Sequence, residues 1–143
     1  MVVTKYQKRI SGPLLDRIDI HVEVPRIEYE KLSEARLGES SATVRERVEA
    51  ARSLQRARFT NGGGNHLRCN AEMRPAEVRK YCSLDESGQT LMKTAMNQLQ
   101  LSARAYHRIL KLARTIADLA GSDEILPAQV AEALQYRSRM NVL

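Results

Sequence analysis

The sequence is poor in aromatic residues and in cysteine. Its 143 residues include no tryptophan, and aromatic residues make up only 4% of the chain. This scarcity argues against a surface that binds single-stranded nucleic acid by stacking bases on aromatic rings. Two cysteines, Cys69 and Cys82, are too few for the disulfide framework of a small secreted domain, so we expect both thiols to be reduced.

Long apolar runs are also missing. No segment approaches the roughly 20 apolar residues that span a bilayer, and the N-terminus lacks the charged-then-apolar pattern of a secretory signal. We therefore predict a cytoplasmic protein without a membrane partner. Hydrophobic residues at 43% and charged residues at 28% are typical of a folded chain, and its length suits one compact core.

The charge is unbalanced towards the basic side. The net charge of +6 results from 23 lysines and arginines against 17 aspartates and glutamates. An anionic partner such as a nucleotide or a nucleic acid is compatible with this surplus. A solvated basic surface is equally compatible with it.

The first regular pattern lies at residues 18–24, where apolar and polar residues alternate as in a strand. The apolar positions are Ile18, Ile20, Val22 and Val24. Pro25 ends the pattern because it has no backbone donor. A lone strand cannot satisfy its own backbone groups, and no later segment has strand character. We therefore expect the rest of its sheet to lie outside this sequence.

The chain is predicted to be helical from about residue 26 onward, so the fold class is all-α with a short preceding strand. The predicted helices cover residues 28–37, 42–59, 75–81, 84–100 and 103–120, with a last helix that begins near Pro127. Ser83 and Ser102 are the predicted N-caps of the fourth and fifth of these helices, and Gly121 is predicted to end the fifth. The glycines at 62–64 predict a surface loop, since no Gly-Lys-Ser/Thr follows them.

Apolar residues at helical spacing predict which faces of the three long helices are buried. The predicted faces are Val44, Val48, Ala51 and Leu54 in the first, Leu84, Leu91, Met92, Ala95 and Leu99 in the second, and Ile109, Leu112, Ala113, Ile116 and Ala120 in the third.

Two sequence motifs indicate a function. Residues 10–24 read ISGPLLDRIDIHVEV, which resembles the stretch of AAA+ ATPases that leads into the last core strand. Residues 101–119 read LSARAYHRILKLARTIADL, which resembles their sensor-2 helix. Together with the intervening RKYCSLDESGQTLMKTAMNQL, the chain resembles the magnesium-chelatase-like AAA+ ATPases of the ComM type over nearly its whole length.

The resemblance implies a division of the chain. Residues 1–25 correspond to the end of the ATPase core, and residues 26–143 correspond to the helical lid. The phosphate loop and the metal-holding acidic motif of the family lie upstream of such a segment. The resemblance therefore implies ATP and magnesium as cofactors of the intact protein, and no tightly bound cofactor on this segment alone.

The resemblance also implies residue roles and partners. Arg17 corresponds to an arginine finger that acts on the nucleotide of a neighbouring subunit, and Arg104 corresponds to the sensor-2 arginine that contacts an ATP phosphate. The implied assembly is a homo-oligomeric ring, expected to be a hexamer, that acts on DNA; ComM-type proteins are associated with branch migration during natural transformation. A permanently charged guanidinium suits phosphoryl transfer because it stabilises the charge of the transferred group.

Each assignment has a simpler alternative. Arg17 could instead be a surface arginine paired with Asp16 or Asp19, and Arg104 could be one of several solvated cations on its helix. The rival function for the whole chain is a basic helical module that binds nucleic acid without an ATP cycle.

The helix at 42–59 carries the strongest basic concentration. Arg45, Arg52 and Arg56 are the candidate DNA contacts, and the alternative is a solvated or subunit-facing surface. No metal site is predicted, because His66, Cys69 and Cys82 lack paired clusters and a fourth ligand.

Overall fold

The computed structural model describes residue 14 and residues 17–26, 38–61 and 67–137. These residues contain five α-helices and one 3-10 helix. The α-helices are α1 (Ser41–Asn61), α2 (Pro75–Tyr81), α3 (Glu86–Gln98), α4 (Ala103–Leu119) and α5 (Pro127–Gln135), and the 3-10 helix is Asn70–Glu72. The predicted all-α class is therefore confirmed for the described part of the chain. The helix predicted at 28–37 and the glycines at 62–64 lie outside the described residues.

The strand predicted at 18–24 is not observed. Residues 17–26 contain a turn, a bend and irregular backbone, and none of them joins a sheet within the described part of the chain. Its apolar side chains are all exposed, from 39% for Ile18 to 82% for Val24. The alternation produces no buried face here because no second sheet strand pairs with it among the described residues.

The ends of α4 match the prediction. The Ser102 hydroxyl accepts a hydrogen bond from the Ala105 backbone N–H at 3.2 Å, as an N-cap does. Gly121 has φ of +66°, the left-handed conformation that commonly ends a helix and that other residues adopt at a cost. Both signals are local in the sequence, which explains why they could be predicted.

The start of α3 differs from the prediction. Asp85, rather than Ser83, is the N-cap, and its carboxylate accepts a hydrogen bond from the Gly88 N–H at 2.7 Å. The helix starts late because Leu84 forms an isolated parallel β-bridge with Ile125 and is therefore extended. This bridge ties the α2–α3 connection to the α4–α5 connection.

Helix α4 is the central element of the bundle. It packs against α1, α2, α5 and the 3-10 helix, while α3 packs against α5. The α4 residues Ile109, Ala113 and Ala117 are completely buried, as are Val130 and Ala133 of α5. The helix N-terminus that carries Arg104 is thus anchored to a packed core.

The buried faces are only partly as predicted. Ala51 of α1 is buried, but Val44, Val48 and Leu54 are 39–44% exposed, and the first ten residues of α1 are all exposed. Val44 and Val48 share the face of Ala51, so the periodicity correctly predicts which face of α1 is turned towards the core. It does not predict the position along α1 at which the bundle ends. Leu99 lies beyond the end of α3 and Ala120 lies in the last turn after α4, so both are exposed.

A buried polar network connects α1, the 3-10 helix and α4. The Asp118 carboxylate, whose side chain is completely buried, accepts hydrogen bonds from both terminal nitrogens of Arg58. Asn70 Nδ2 donates to the same carboxylate at 2.7 Å, and Arg114 Nε donates to it at 3.1 Å. Arg58 lies on α1, Asn70 lies in the 3-10 helix, and Arg114 lies one turn before Asp118 on α4. The network therefore fixes the relative positions of these three elements.

Arg114 also fixes the connection that follows α4. Its two terminal nitrogens donate to the backbone carbonyls of Ser122 and Asp123 at 2.5 and 2.7 Å. The guanidinium is 3% exposed, so these bonds replace the water that it loses on burial. The periodicity of α4 gave no sign of this role.

We predict that Asp118→Ala lowers the free energy of unfolding by about 3–5 kcal/mol, because it leaves the buried Arg114 charge without its partner. Urea unfolding of the 143-residue chain measures this change. The control is Glu124→Ala, an exposed site, with an expected change within about 0.5 kcal/mol. Equal effects of the two substitutions would contradict the role of the network.

Cys82 belongs to the same core. It is 3% exposed, and its burial raises the pKa of the thiol from the ordinary 9.0 to about 11, against the opposing influence of the nearby Arg114 and Arg58 charges. The thiol therefore stays protonated at neutral pH and is a poor nucleophile and metal ligand there.

The raised pKa predicts a loss of stability at alkaline pH. The unfolded thiol ionises near pH 9.0 and the folded thiol near pH 11, so the folded state holds its proton across that window. The free energy of unfolding should therefore fall as pH rises through it, by about 2–3 kcal/mol. Unfolding titrations on either side of the window, in wild type and in Cys82→Ala, isolate this contribution. Cys69→Ala is the control and should keep the wild-type dependence.

Candidate functional site

Arg104 lies in the first turn of α4 and is exposed to solvent. The Ser102 cap binds the Ala105 N–H, and the N–H groups of Ala103 and Arg104 have no acceptor among the described residues, as is usual in the first turn of a helix. The partial positive charge of the helix N-terminus adds to the charge of the guanidinium. This end of α4 is therefore an electropositive surface.

Two other cations lie on the same stripe of α4, at spacings of four and three residues. Arg108 donates to the backbone carbonyl of Arg17 and to the Asp19 carboxylate, both at 2.5 Å. Lys111 donates to the backbone carbonyl of Ala71 at 2.9 Å. Among the described residues, Arg104 has no such hydrogen bond or ion pair, so it is the cation of this stripe that can meet a ligand.

His107 lies on the same helix and is partly buried. Its Nδ1 is buried and has no hydrogen-bond partner among the described residues, and its ring contacts Tyr106 edge-on at 5.5 Å between centroids. Arg104 therefore differs from Arg108 and Lys111, which have partners, and its exposure fits both the sensor role and the alternative of a solvated cation.

Arg17 lies in a turn and is exposed. The turn is closed by a hydrogen bond from the Arg17 N–H to the Leu14 carbonyl at 3.0 Å. Arg108 binds the Arg17 carbonyl, and the Asp19 carboxylate pairs with Arg108. The structure thus brings the backbone of Arg17 to the stripe that begins with Arg104, although the two residues are far apart in sequence.

The three candidate DNA contacts, Arg45, Arg52 and Arg56, are all exposed on α1. They lie along one side of the helix. Arg56 donates to the Ser53 hydroxyl at 2.9 Å and lies 3.5 Å from the Glu49 carboxylate. Arg58, which looks equivalent in sequence, is instead part of the buried network around Asp118.

A cleft of about 580 Å³ opens between α2, α3 and α4. Its floor includes Val78, Met92, Met96 and Leu110, and Tyr106 and His107 also line it. Arg104 is not among its lining residues, so the cleft and the electropositive end of α4 are separate features.

The described residues contain no group of three metal-ligating side chains; His66 lies outside them. None of the helices in the described part of the chain combines the length and apolarity needed to cross a membrane.

Comparison with known proteins relates both motifs to one family. The family described as "Magnesium chelatase, subunit ChlI C-terminal" matches residues 38–137, and "Magnesium chelatase, subunit ChlI" matches residues 1–32. Competence protein ComM of Haemophilus influenzae is 40% identical over 142 residues, which are 99% of this chain and 26% of that protein.

Two further relatives carry no functional name. YifB of Escherichia coli is 40% identical over 135 residues, 94% of this chain and 25% of that protein. An uncharacterised protein of Mycobacterium tuberculosis strain H37Rv is 35% identical over 133 residues, 93% of this chain and 26% of that protein. The chain spans about a quarter of the length of these curated relatives. Since the C-terminal family covers most of the chain, the protein belongs to the magnesium-chelatase-like family of the ComM type.

Proposed function

We propose that this chain forms the lid and sensor-2 part of a ComM-type AAA+ ATPase, with residues 1–25 at the end of the ATPase core and residues 26–143 in the lid. The supporting observation is the exposed Arg104 in the first turn of α4, which has no partner among the described residues while Arg108 and Lys111 are engaged. A cation held this way on a packed helix suits recognition of a phosphate.

ATP and magnesium are the proposed cofactors of the intact protein. The exposed Arg104 guanidinium and the adjacent backbone N–H groups fit a phosphate group. The phosphate loop and the metal ligands of the proposed site belong to the upstream core. Bound ATP supplies the phosphoryl group whose transfer drives the motor, and Arg104 provides a contact through which the lid responds to it.

Arg17 is the proposed arginine finger. Arg17 is an exposed residue with a permanently charged side chain, and its backbone carbonyl is bound by Arg108 of α4. In a ring, such a residue can reach the nucleotide of the adjacent subunit. It would stabilise the charge of the transferred group while contributing little to binding of the ground state.

The proposed assembly is a homohexameric ring that remodels DNA, coupled to ATP hydrolysis. The name of one relative, a competence protein, and the surplus of positive charge support DNA as the partner. The exposed arginines at positions 45, 52 and 56 are the proposed contacts. A basic module that binds DNA without an ATP cycle is the alternative, and the docking of Arg17 beside the Arg104 helix favours the ATPase.

We predict that Arg17→Ala in the full-length protein lowers the ATPase turnover number by a factor on the order of 10² or more and changes the KM for ATP less than about threefold. The physical reason is that the finger acts mainly on the transition state. Steady-state ATPase assays with ring formation checked by light scattering measure this. Wild-type turnover in intact rings of the Arg17→Ala variant would show that Arg17 is not the arginine finger.

Arg104→Ala should weaken ATP binding by about tenfold, because one charge-assisted phosphate contact is lost. Its effect on stability should stay within about 0.5 kcal/mol, since the side chain is exposed. Titration of the full-length protein with ATP measures the affinity, and Arg79→Ala, an exposed arginine on α2, is the matched control. Equal affinities in the two variants would argue against the sensor role.

Replacing Arg45, Arg52 and Arg56 together with alanine should weaken DNA binding by the full-length protein and reduce its salt slope by up to about three. The control removes the same charge elsewhere by replacing Arg68, Arg79 and Lys93, all exposed. Measurements with and without ATP separate the two functions. If the DNA affinity of the wild type does not depend on ATP, the result favours the binding module. If both triple variants lose the same DNA affinity, the assignment of the α1 arginines as DNA contacts is wrong.

A further inference from the structure

Residues 17–21 are fastened to the helical bundle by long-range hydrogen bonds. Arg108 of α4 provides two of them, to the Arg17 carbonyl and to the Asp19 carboxylate. The Arg108 side chain is 28% exposed, so these bonds are shielded from water more than an ordinary surface pair. They join residues about 90 positions apart in the chain.

Tyr136 and Arg137, the two residues directly after α5, form further hydrogen bonds to the same segment. Arg137, itself 8% exposed, donates from Nη1 to the Ile18 carbonyl at 2.9 Å. The His21 N–H donates to the Tyr136 carbonyl at 2.8 Å. Helix α4 and the two residues that follow α5 therefore both hold residues 17–21, which have no sheet partner within the described part of the chain.

The hydrogen-bonded groups of this segment determine the backbone position of Arg17. Arg108 and Arg137 bind the backbone carbonyls of residues 17 and 18 rather than only side chains, so they fix the path of the main chain on which the Arg17 side chain stands. Charge-assisted hydrogen bonds to backbone carbonyls are stronger than neutral ones. The position of Arg17 is thus set by the lid helices.

Arg104 precedes Arg108 by four residues on the same stripe of α4, about 6 Å along the helix axis. We propose that Arg108 and Arg137 are positioning residues that couple Arg17 to Arg104 by clamping residues 17–21 onto the lid. This inference rests on the proposed function. A rotation of the lid on binding ATP in one subunit then also moves the finger presented to the next subunit.

The coupling is testable in the full-length protein with Arg108→Gln. We expect the turnover number to fall between about 10-fold and 100-fold through misplacement of Arg17, with the KM for ATP within about twofold. Arg108→Lys should recover part of the turnover because a lysine can still donate to the Arg17 carbonyl. Arg79→Gln is the matched control and should retain wild-type turnover.

A second readout reports the clamp itself. Hydrogen exchange at the amides of residues 17–21, and at His21 in particular, should be at least about tenfold faster in Arg108→Gln and in Arg137→Gln than in wild type. Asp19→Asn keeps the carbonyl contact and should give an intermediate exchange rate. If Arg137→Gln does not fold, Asp19→Asn still tests the clamp, because Asp19 is 53% exposed and its substitution leaves the core unchanged.

Each outcome decides a separate question. Unchanged exchange in Arg108→Gln and Asp19→Asn would overturn the clamp. Faster exchange with wild-type turnover in Arg108→Gln would overturn the positioning role. If Arg17→Ala itself has wild-type turnover, the finger assignment fails, while the exchange data still report whether residues 17–21 are clamped.

Discussion

The buried carboxylate of Asp118 is the charge on which the arrangement of the described helices depends. It meets Arg58 of α1, Arg114 of α4 and the amide of Asn70, so three segments converge on one group. Such a charge is tolerable inside a protein only when it is paired and hydrogen-bonded. The need to satisfy it selects one relative placement of α1, the 3-10 helix and α4.

The placement of α4 also determines the position of its N-terminal turn. The helix is held at its C-terminal half by the network and along its length by completely buried residues such as Ile109 and Ala113. Its N-terminal turn, with Arg104, is therefore presented to solvent from a rigid base. The proposed sensor-2 role of Arg104 requires this rigidity, because the phosphate contact would have to be converted into movement of the proposed lid.

Six of the described arginines occupy three kinds of environment. Arg58 and Arg114 satisfy a buried carboxylate, Arg108 and Arg137 hold backbone carbonyls of a distant segment, and Arg17 and Arg104 are exposed. The planar guanidinium suits the first two tasks because it offers several donors in fixed directions. The same residue type thus serves packing, docking and, as proposed, nucleotide chemistry.

Local signals in the sequence were sufficient for part of the fold. Ser102 and Gly121 define the ends of α4 because caps and left-handed glycines act within a few residues. The family motifs also pointed to Arg104, whose exposure is compatible with the sensor role.

Features that depend on distant contacts could not be predicted in this way. The Arg58–Asp118 pair joins positions 60 residues apart, and no periodicity in either helix marks it. The exposure of Val44 and Val48 depends on where the bundle ends along α1, which the spacing of apolar residues does not encode. The strand pattern at 18–24 has no sheet partner among the described residues. The Ile18 carbonyl accepts a hydrogen bond from Arg137 instead, and the Arg17 carbonyl just before the pattern accepts one from Arg108.

The roles proposed for Arg17 and Arg104 are tested most directly by a structure of the full-length ring with a non-hydrolysable ATP analogue and magnesium. We predict that the Arg104 guanidinium lies about 3 Å from a phosphate oxygen of its own subunit's nucleotide, and that Arg17 reaches the nucleotide of the neighbour. Residues 17–21 should remain bonded to Arg108 in that structure. An Arg104 side chain directed to bulk solvent or to DNA, with Arg17 away from every nucleotide, would contradict these roles.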